Sequence, residues 1–267
     1  VLAVAPNGAR KTKSDHPALP IEPEEIAETA KACAAAGAAM IHLHVRDAKG
    51  QHSLDVGRYR AATEAIRAAV GQDLVIQVTT EAVGRFDPAE QMESVRRLEP
   101  EAASFALREL VPDAESETEA ARFFAWVAEA GIQAQFILYD ADDLRRFRAL
   151  RRRGVLPAGP QFLLFVLGRY AAGQRSEPTD LLPFLALDEA ADPWAICAFG
   201  PKEAAAAVTA AALGGHARVG FENNLLLPDG GIAKDNAALV AWVAESVGRL
   251  KRPLATAEQV RRLLVPS

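Results

Sequence analysis

Cysteine is scarce. Cys33 and Cys197 are the only two in 267 residues, too few and too far apart for a disulfide framework or a thiolate metal site, so a reducing cytoplasm is the expected setting. Long hydrophobic runs are missing too: none reaches the roughly 20 residues of a membrane-crossing helix, and the first residues lack the charged opening of a signal peptide. The chain starts on Val1 and not on Met, as a trimmed chain would. Nor is there an excess of positive charge. The formal net charge is −5 with a pI near 5.6, and basic residues are interleaved with acids, which excludes the electrostatic footprint of a nucleic-acid binder. The densest basic run, Arg151-Arg152-Arg153, closes a helical stretch that begins at Asp140 and reads as a solvated helix terminus. No Pro/Gly/Ser-rich linker or change of composition divides the chain, so one domain over residues 1–267 is expected.

Half of the residues are hydrophobic and a quarter charged, as in an ordinary globular protein. Hydrophobic periodicity and turn residues predict strands at 1–5, 40–47, 74–78, 102–107, 134–139, 161–166, 194–198 and 217–221. Between them, helices are expected from Pro23 to Gly37, Asp55 to Val70, Pro88 to Leu98, Glu117 to Ala130 and from Asp140, with a short one at Thr179 to Ala186. Pro201 is expected to open an alanine-rich helix, and the helix from about Ile232 to Val247 to come last. Eight alternating units in about 250 residues predict an α/β fold of the (β/α)8 TIM barrel type. The alternative, an open doubly wound sheet, usually carries a Gly-x-Gly-x-x-Gly turn after its first strand, and Ala5-Pro6-Asn7-Gly8-Ala9 is not one. A barrel places its active site at the C-terminal ends of the strands.

Two of the five histidines stand two residues apart in Met40-Ile41-His42-Leu43-His44-Val45-Arg46-Asp47. On a strand, side chains alternate, so His42 and His44 share a face and one cation could bridge them; two histidines satisfied by local hydrogen bonds are the plainer alternative. In Arg218-Val219-Gly220-Phe221-Glu222-Asn223 the same alternation puts Arg218, Gly220 and Glu222 together, Gly220 leaving room for a ligand. Strand eight closes on strand one, so Glu222 is expected to meet the two histidines across the mouth. Two imidazoles and one carboxylate suit a catalytic zinc and also non-haem iron, zinc being preferred. Arg218 can hold a substrate carboxylate or an internal ion pair. Strand three delivers Thr79, Thr80 and Glu81 to the same rim, and the loop after strand one brings Arg10, Lys11 and Lys13, either to meet an anionic substrate or as a solvated loop. His16, His52 and His216 read as surface or capping residues.

The histidine stretch, Gly214-Gly215-His216-Ala217-Arg218-Val219-Gly220-Phe221-Glu222-Asn223-Asn224, Leu227-Pro228-Asp229-Gly230 and Pro20-Ile21-Glu22-Pro23-Glu24-Glu25-Ile26-Ala27 together resemble the β-keto acid cleavage enzymes over nearly the whole chain. The resemblance implies a zinc-dependent (β/α)8 barrel, with another divalent metal as the alternative, and a homo-oligomer, a tetramer. It implies transfer of CoA from acetyl-CoA to part of a β-keto acid, releasing acetoacetate and a new acyl-CoA. Carried over, His42, His44 and Glu222 match the metal ligands, Arg218 the catalytic arginine, Thr79 a strand-three serine and Ser104 a substrate-binding threonine on strand four; Thr80 lies beside them. The chemistry implied is an enolate that attacks the thioester, followed by CoA migration and retro-Claisen cleavage.

Two departures stand out. Where the family's type member has an aspartate base after its glutamate ligand, this chain has Asn223, and an amide cannot take a proton at neutral pH. Glu81 is the substitute candidate. Where the type member, whose substrate carries an amino group, has glutamate after Gly-Ala, this chain has Arg10, which predicts a substrate tail that is anionic or neutral, unless Arg10 faces solvent or the CoA phosphates. Two other readings stand beside this one. A zinc-dependent aldolase or hydrolase would act without a thioester, and a ligand-binding barrel without catalysis would carry structural histidines. Acetyl-CoA dependence and stoichiometric metal separate the three.

Overall fold

The computed structural model describes residues 1–187 and 192–264. Its barrel strands are β1 (Leu2–Val4), β2 (Met40–Leu43), β3 (Val75–Thr79), β4 (Ala102–Ala106), β5 (Gln133–Leu138), β6 (Phe162–Leu167), β7 (Trp194–Ala198) and β8 (His216–Val219). Each pairs in parallel with its neighbours, and β1 pairs with both β2 and β8, which closes the barrel. The (β/α)8 expectation therefore holds. Three of the outer helices start where expected for a stated reason: Asp55, Asp87 and Asp140 each accept the backbone N–H three residues on and so cap the first turn, as Asp235 does for a later helix.

Period-two alternation sorts the strand residues. Ile41, Leu43, Ile76, Val78, Phe105, Phe136 and Leu138 face outward and pack with the helices in the main core. Phe105, Phe123, Phe124, Phe136 and Phe147 are fully buried there, each contributing roughly 1.5–3 kcal/mol of burial. Inside the barrel the two sides differ. Ala106, Ile137, Phe162, Leu164, Val166, Ala195, Cys197 and Phe199 form an apolar lining on β4 to β7 and just beyond, whereas His42, Gln77 and Arg218 on β2, β3 and β8, with Ser104 and Gln135 on the adjoining β4 and β5, are polar although all are buried. The active-site side of the lumen is thus already marked by polar burial.

Several expectations are corrected. The histidine strand stops at Leu43; Val45–Arg46 leaves the barrel and pairs antiparallel with His52–Ser53. The cause is the loop after β1: Asn7 donates to the His44 carbonyl (3.2 Å), and the Arg46 guanidinium donates to the carbonyls of Gly8, Lys11 and Gly50. Strand eight ends at Val219, and Glu222 is carried by a turn, not by strand alternation. Gly220 makes room for backbone, not for a ligand: it has φ +136°, and a Cβ there would sit 2.5 Å from the Ala5 carbonyl oxygen. The alanine-rich helix starts at Glu203 and the next at Asn236. That helix is not the last, because Ala257–Leu264 follows, with Ala257 and Val260 packed on Ala3, Met40, Val75 and Ala102 at the N-terminal ends of β1 to β4. Arg151 is not solvated but bonded to both carboxylate oxygens of Asp192 at 2.8 and 3.0 Å. No helix among the described residues is long and apolar enough to cross a membrane.

Candidate metal centre and active site

The C-terminal mouth of the barrel holds a cavity of about 270 Å³, lined among others by His42, Glu222, Arg218, Thr79, Thr80, Glu81, Ser104 and Arg10. The structure thus gathers residues separated by more than 200 positions. His42 points into the lumen from β2, opposite Gln77 on β3. Its Nδ1–H donates to Gln77 Oε1 (2.8 Å), while Gln77 Nε2 donates to Gln135 Oε1 (3.1 Å). Because the Gln77 amide nitrogen is engaged elsewhere, its oxygen faces His42, the proton stays on Nδ1 and the Nε2 lone pair is left for a metal. Burial, and then the Arg218 guanidinium, hold the His42 pKa well below 6.5, so the imidazole is neutral at neutral pH, as a ligand must be.

Glu222 reaches the histidines through a tight turn. Its N–H donates to the Ala5 carbonyl (3.1 Å), those of Asn223 and Asn224 both donate to the Gly220 carbonyl, and Lys11 Nζ donates to the Glu222 carbonyl (2.6 Å). Gly8, at φ +60°, comes so near that a Cβ would lie 2.6 Å from Glu222 Cγ. Burial, the largest single influence, would raise the Glu222 pKa, but Arg218 at 3.0 Å, His44 and His42 together outweigh it and hold the carboxylate well below its usual range.

The donor set fits a cation. His42 Nε2 and His44 Nε2 are 3.1 Å apart, and Glu222 Oε2 lies 3.7 and 3.3 Å from them. Ligand atoms about 2.0–2.1 Å from a tetrahedral metal are separated by roughly 3.3 Å. Glu222 Oε2 is buried without a hydrogen-bond partner among the described residues, so two ring nitrogens and an orphaned anionic oxygen converge on one point. Beside it, Arg218 gives Nη2 to Glu222 and to Cys197 Sγ (3.3 Å), while its Nε and Nη1 are buried without partners among the described residues. Donors left open beside a cavity suit an anionic oxygen of a ligand. Among the described residues Ser104 Oγ is likewise buried and unpaired; Thr79 Oγ1 accepts the Glu81 N–H (3.0 Å), and Thr80 donates to the Ser104 carbonyl.

Other expected residues take different places. Asn223 does not line the cavity; its amide turns to Glu203 (3.3 Å) and the Arg218 carbonyl (3.4 Å). Glu81 lines it, held by Arg10 at 2.7 Å and Arg169 at 3.5 Å, with cations on two sides. Lys13 pairs with Glu25 away from the mouth. The remaining histidines are not surface residues, though one caps: His16, buried against Phe221 and bonded to the Ala233 carbonyl, accepts the Ala18 N–H (3.1 Å), whereas His52 is buried 5.1 Å from the His44 ring and His216 is half-buried on the N-terminal amine. Sequence reading missed Gln77, Tyr139, Arg169 and Glu203. Tyr139 follows Gln135 and Ile137 at period two, and Arg169 follows the end of β6, so the rule that singled out Glu81 would have found both.

A closed parallel barrel with two imidazoles and a carboxylate converged at its C-terminal mouth defines a metal-competent enzyme site of the (β/α)8 class. The chain belongs to the beta-keto acid cleavage enzyme family, whose model matches residues 1–265. It is 31% identical over 271 residues to the 3-keto-5-aminohexanoate cleavage enzyme of Fusobacterium nucleatum, covering 99% of this chain and 97% of that protein. It is 29% identical over 277 residues to the 3-oxoadipate:acetyl-CoA acetyltransferase of Cupriavidus necator, covering 99% and 94%. Among solved structures, the binary complex of ObcA with oxaloacetate superposes with a TM-score of 0.73 at 19% identity, over 93% of this chain and 67% of that one. The apo structure of ObcA gives a TM-score of 0.70, with 65% of that chain covered, so the chain spans about two thirds of that neighbour. These neighbours bear on the fold.

Proposed function

We propose that the enzyme converts a β-keto acid and acetyl-CoA into acetoacetate and a new acyl-CoA. The observation that carries this reading is the convergence of His42, His44 and Glu222 beside the open donors of Arg218, in a family whose relatives are named for such acetyl-CoA-dependent reactions. In balance, the CH2–COO⁻ carbon of the keto acid gives up a proton and regains one in acetoacetate, it forms a bond to the acetyl carbonyl carbon as the acetyl carbon–sulfur bond breaks, and its bond to the keto carbon breaks. The freed acyl group ends on the CoA sulfur. A divalent metal held by His42, His44 and Glu222, zinc by the nature of the donor set, supplies Lewis-acid stabilisation of charge on carbonyl oxygen. The protein's own groups do the rest. Arg218 directs two N–H donors at an anionic oxygen, the Ser104 and Thr79 hydroxyls orient substrate from β4 and β3, and Gln77 keeps the His42 proton on Nδ1. Arg10 at the rim supports a substrate tail that is anionic or neutral. A homotetramer in the cytoplasm completes the reading, supported by the family resemblance; light scattering after gel filtration measures the mass.

The test is acyl-CoA formation from a panel of β-keto acids, with metal content measured on the same preparation. Acyl-CoA that appears only with acetyl-CoA present, in protein holding about one metal per chain, is expected. Cleavage without acetyl-CoA would instead establish the aldolase or hydrolase reading.

A further inference from the structure

At the rim of the cavity, two guanidiniums share one carboxylate. Arg10 Nη1 lies 2.7 Å and Arg169 Nη2 3.5 Å from the same oxygen, Glu81 Oε1. The two arginines are not equivalent. The Arg10 side chain is 53% exposed and water can solvate it, whereas that of Arg169 is 15% exposed. Arg169 leans its guanidinium over the Phe199 ring, 5.3 Å from the centroid, and its long contact with Glu81 is the one ion pair it makes among the described residues. A half-desolvated guanidinium with so little pairing has donors to give.

The segment carrying Arg169 is fixed by design. Gly168 has φ +77°, and a Cβ there would lie 2.6 Å from the Arg175 carbonyl oxygen; Ser176 ties the far end of the loop to the Phe199 carbonyl through both its N–H (3.0 Å) and its hydroxyl (2.8 Å). Charge points the same way. The cavity is lined by four cations, Arg10, Lys11, Arg169 and Arg218, and by three carboxylates, Asp15, Glu81 and Glu222, before any metal is counted. Lys11 bonds the Glu222 backbone carbonyl and Arg218 its carboxylate, while the Arg10–Glu81–Arg169 cluster by itself sets two cations against one carboxylate.

We infer that Arg169, with Arg10, is the receptor for a carboxylate at the distal end of the β-keto acid, and that Glu81 is the internal counter-ion that this carboxylate displaces or joins. The inference rests on the proposed reaction and narrows its substrate to β-keto dicarboxylates. An amino-bearing tail would face two guanidiniums across one carboxylate, and a neutral tail would leave Arg169 with its 3.5 Å contact to Glu81 and no added anion. Removing the charge of Glu81 takes away an internal competitor, so it tightens the substrate and does not weaken it.

The experiment compares 3-oxoadipate with 3-oxohexanoate, the same carbon chain without the distal carboxylate, on the metal-loaded enzyme with acetyl-CoA. Wild type is expected to favour the dicarboxylate at least tenfold in kcat/KM. In Arg169→Met that ratio falls tenfold or more, Arg169→Lys recovers part of it, and in Glu81→Gln it rises severalfold. An unchanged ratio in Arg169→Met overturns the inference. So does a rise confined to the KM of acetyl-CoA, which would make Arg169 a contact for the CoA phosphates. Turnover of neutral or amino-bearing keto acids without the dicarboxylate overturns it while the proposed reaction stands. Calorimetric binding of 3-oxoadipate without acetyl-CoA gives a reading where no acyl-CoA forms at all: a tenfold weaker Kd in Arg169→Met supports the subsite even then, and equal affinities end it.

Discussion

The two ends of the barrel treat polar atoms differently: among the described residues Gln133 Oε1 is unpaired at the N-terminal end, but unpaired buried atoms gather at the mouth. At the N-terminal end, Ala3, Met40, Val75 and Ala102 pack directly on Ala257 and Val260 of the closing helix. Glu101 there is bonded to Arg67, Arg261 and the Ile76 N–H. At the mouth, Ser104 Oγ, Glu222 Oε2 and two Arg218 nitrogens are buried without partners among the described residues. An unpaired buried polar group costs about 1–3 kcal/mol. Several such costs at the mouth are offset by stability built elsewhere, and they mark the end where a ligand completes the bonds. One end holds the fold and the other spends part of that stability on chemistry.

If that division is right, substitutions at the mouth remove activity and leave the fold. The largest effect is expected from His42→Ala, His44→Ala and Glu222→Gln, each of which should lose bound metal and turnover together, because a three-donor site fails when one donor goes. Metal analysis and steady-state rates check this; retained metal with full activity would remove the assignment. Next comes Arg218→Ala. Donors aimed at developing charge typically contribute about 10²–10³-fold in kcat, so a loss of that order is expected with a native circular dichroism spectrum. Unfolding of this variant would make Arg218 structural, and the contrast between the two ends would blur.

The opposite experiment is Val260→Asp. Val260 is fully buried under the barrel, and an unpaired carboxylate there should cost about 3 kcal/mol or more in urea unfolding. At temperatures where the variant is folded, kcat/KM is expected within about twofold of wild type. A smaller change is expected at Gln77→Leu, which removes the acceptor of the His42 Nδ1–H. Loss of such a partner typically weakens metal binding about 10–100-fold, to be read by competition with a chromophoric chelator, with Gln77→Glu restoring part of the affinity. Equal affinity in Gln77→Leu would show that packing alone fixes the ring.

How much of this was legible follows the same division. Strand alternation made His42 and Arg218 readable, since each sits on a regular strand whose outward neighbours are apolar. Glu222 was found for an incomplete reason: it lies beyond β8, and the turn that carries it depends on Gly220 meeting the Ala5 backbone, a contact between distant segments. Arg169, just past β6, was open to the same strand-end rule as Glu81, but the pairing of the two was hidden because loop side chains have no period to betray their direction. The closing helix was missed although Thr256-Ala257-Glu258-Gln259 is a capping box before Val260, with Thr256 and Gln259 bonded reciprocally. Its place under the barrel could not be read locally, since Glu101 and Arg261 meet across 160 positions of chain.

The subtlest contrast lies behind the turn that presents Glu222. Glu203 is buried and accepts from the Gly220 N–H (3.0 Å), Asn223 Nδ2 (3.3 Å) and Asn224 Nδ2 (3.4 Å), but no cation touches it among the described residues. Burial, the largest influence, pushes its carboxyl up from 4.5 to about 8 against those donors. A raised folded pKa means that the folded chain holds this proton over a range where the unfolded chain has released it. The stabilisation tied to Glu203 is therefore full below about 4.5 and is lost as pH rises through about 8. One proton bound by the folded form alone gives a slope of at most about 1.4 kcal/mol per pH unit. Wild type should thus lose unfolding free energy between pH 6 and 8 more steeply than Glu203→Gln, whose amide cannot titrate, when both are measured in urea at several pH values. Parallel profiles would mean that the three donors hold Glu203 ionised, so that the turn behind the mouth is organised around a charge and not around a proton.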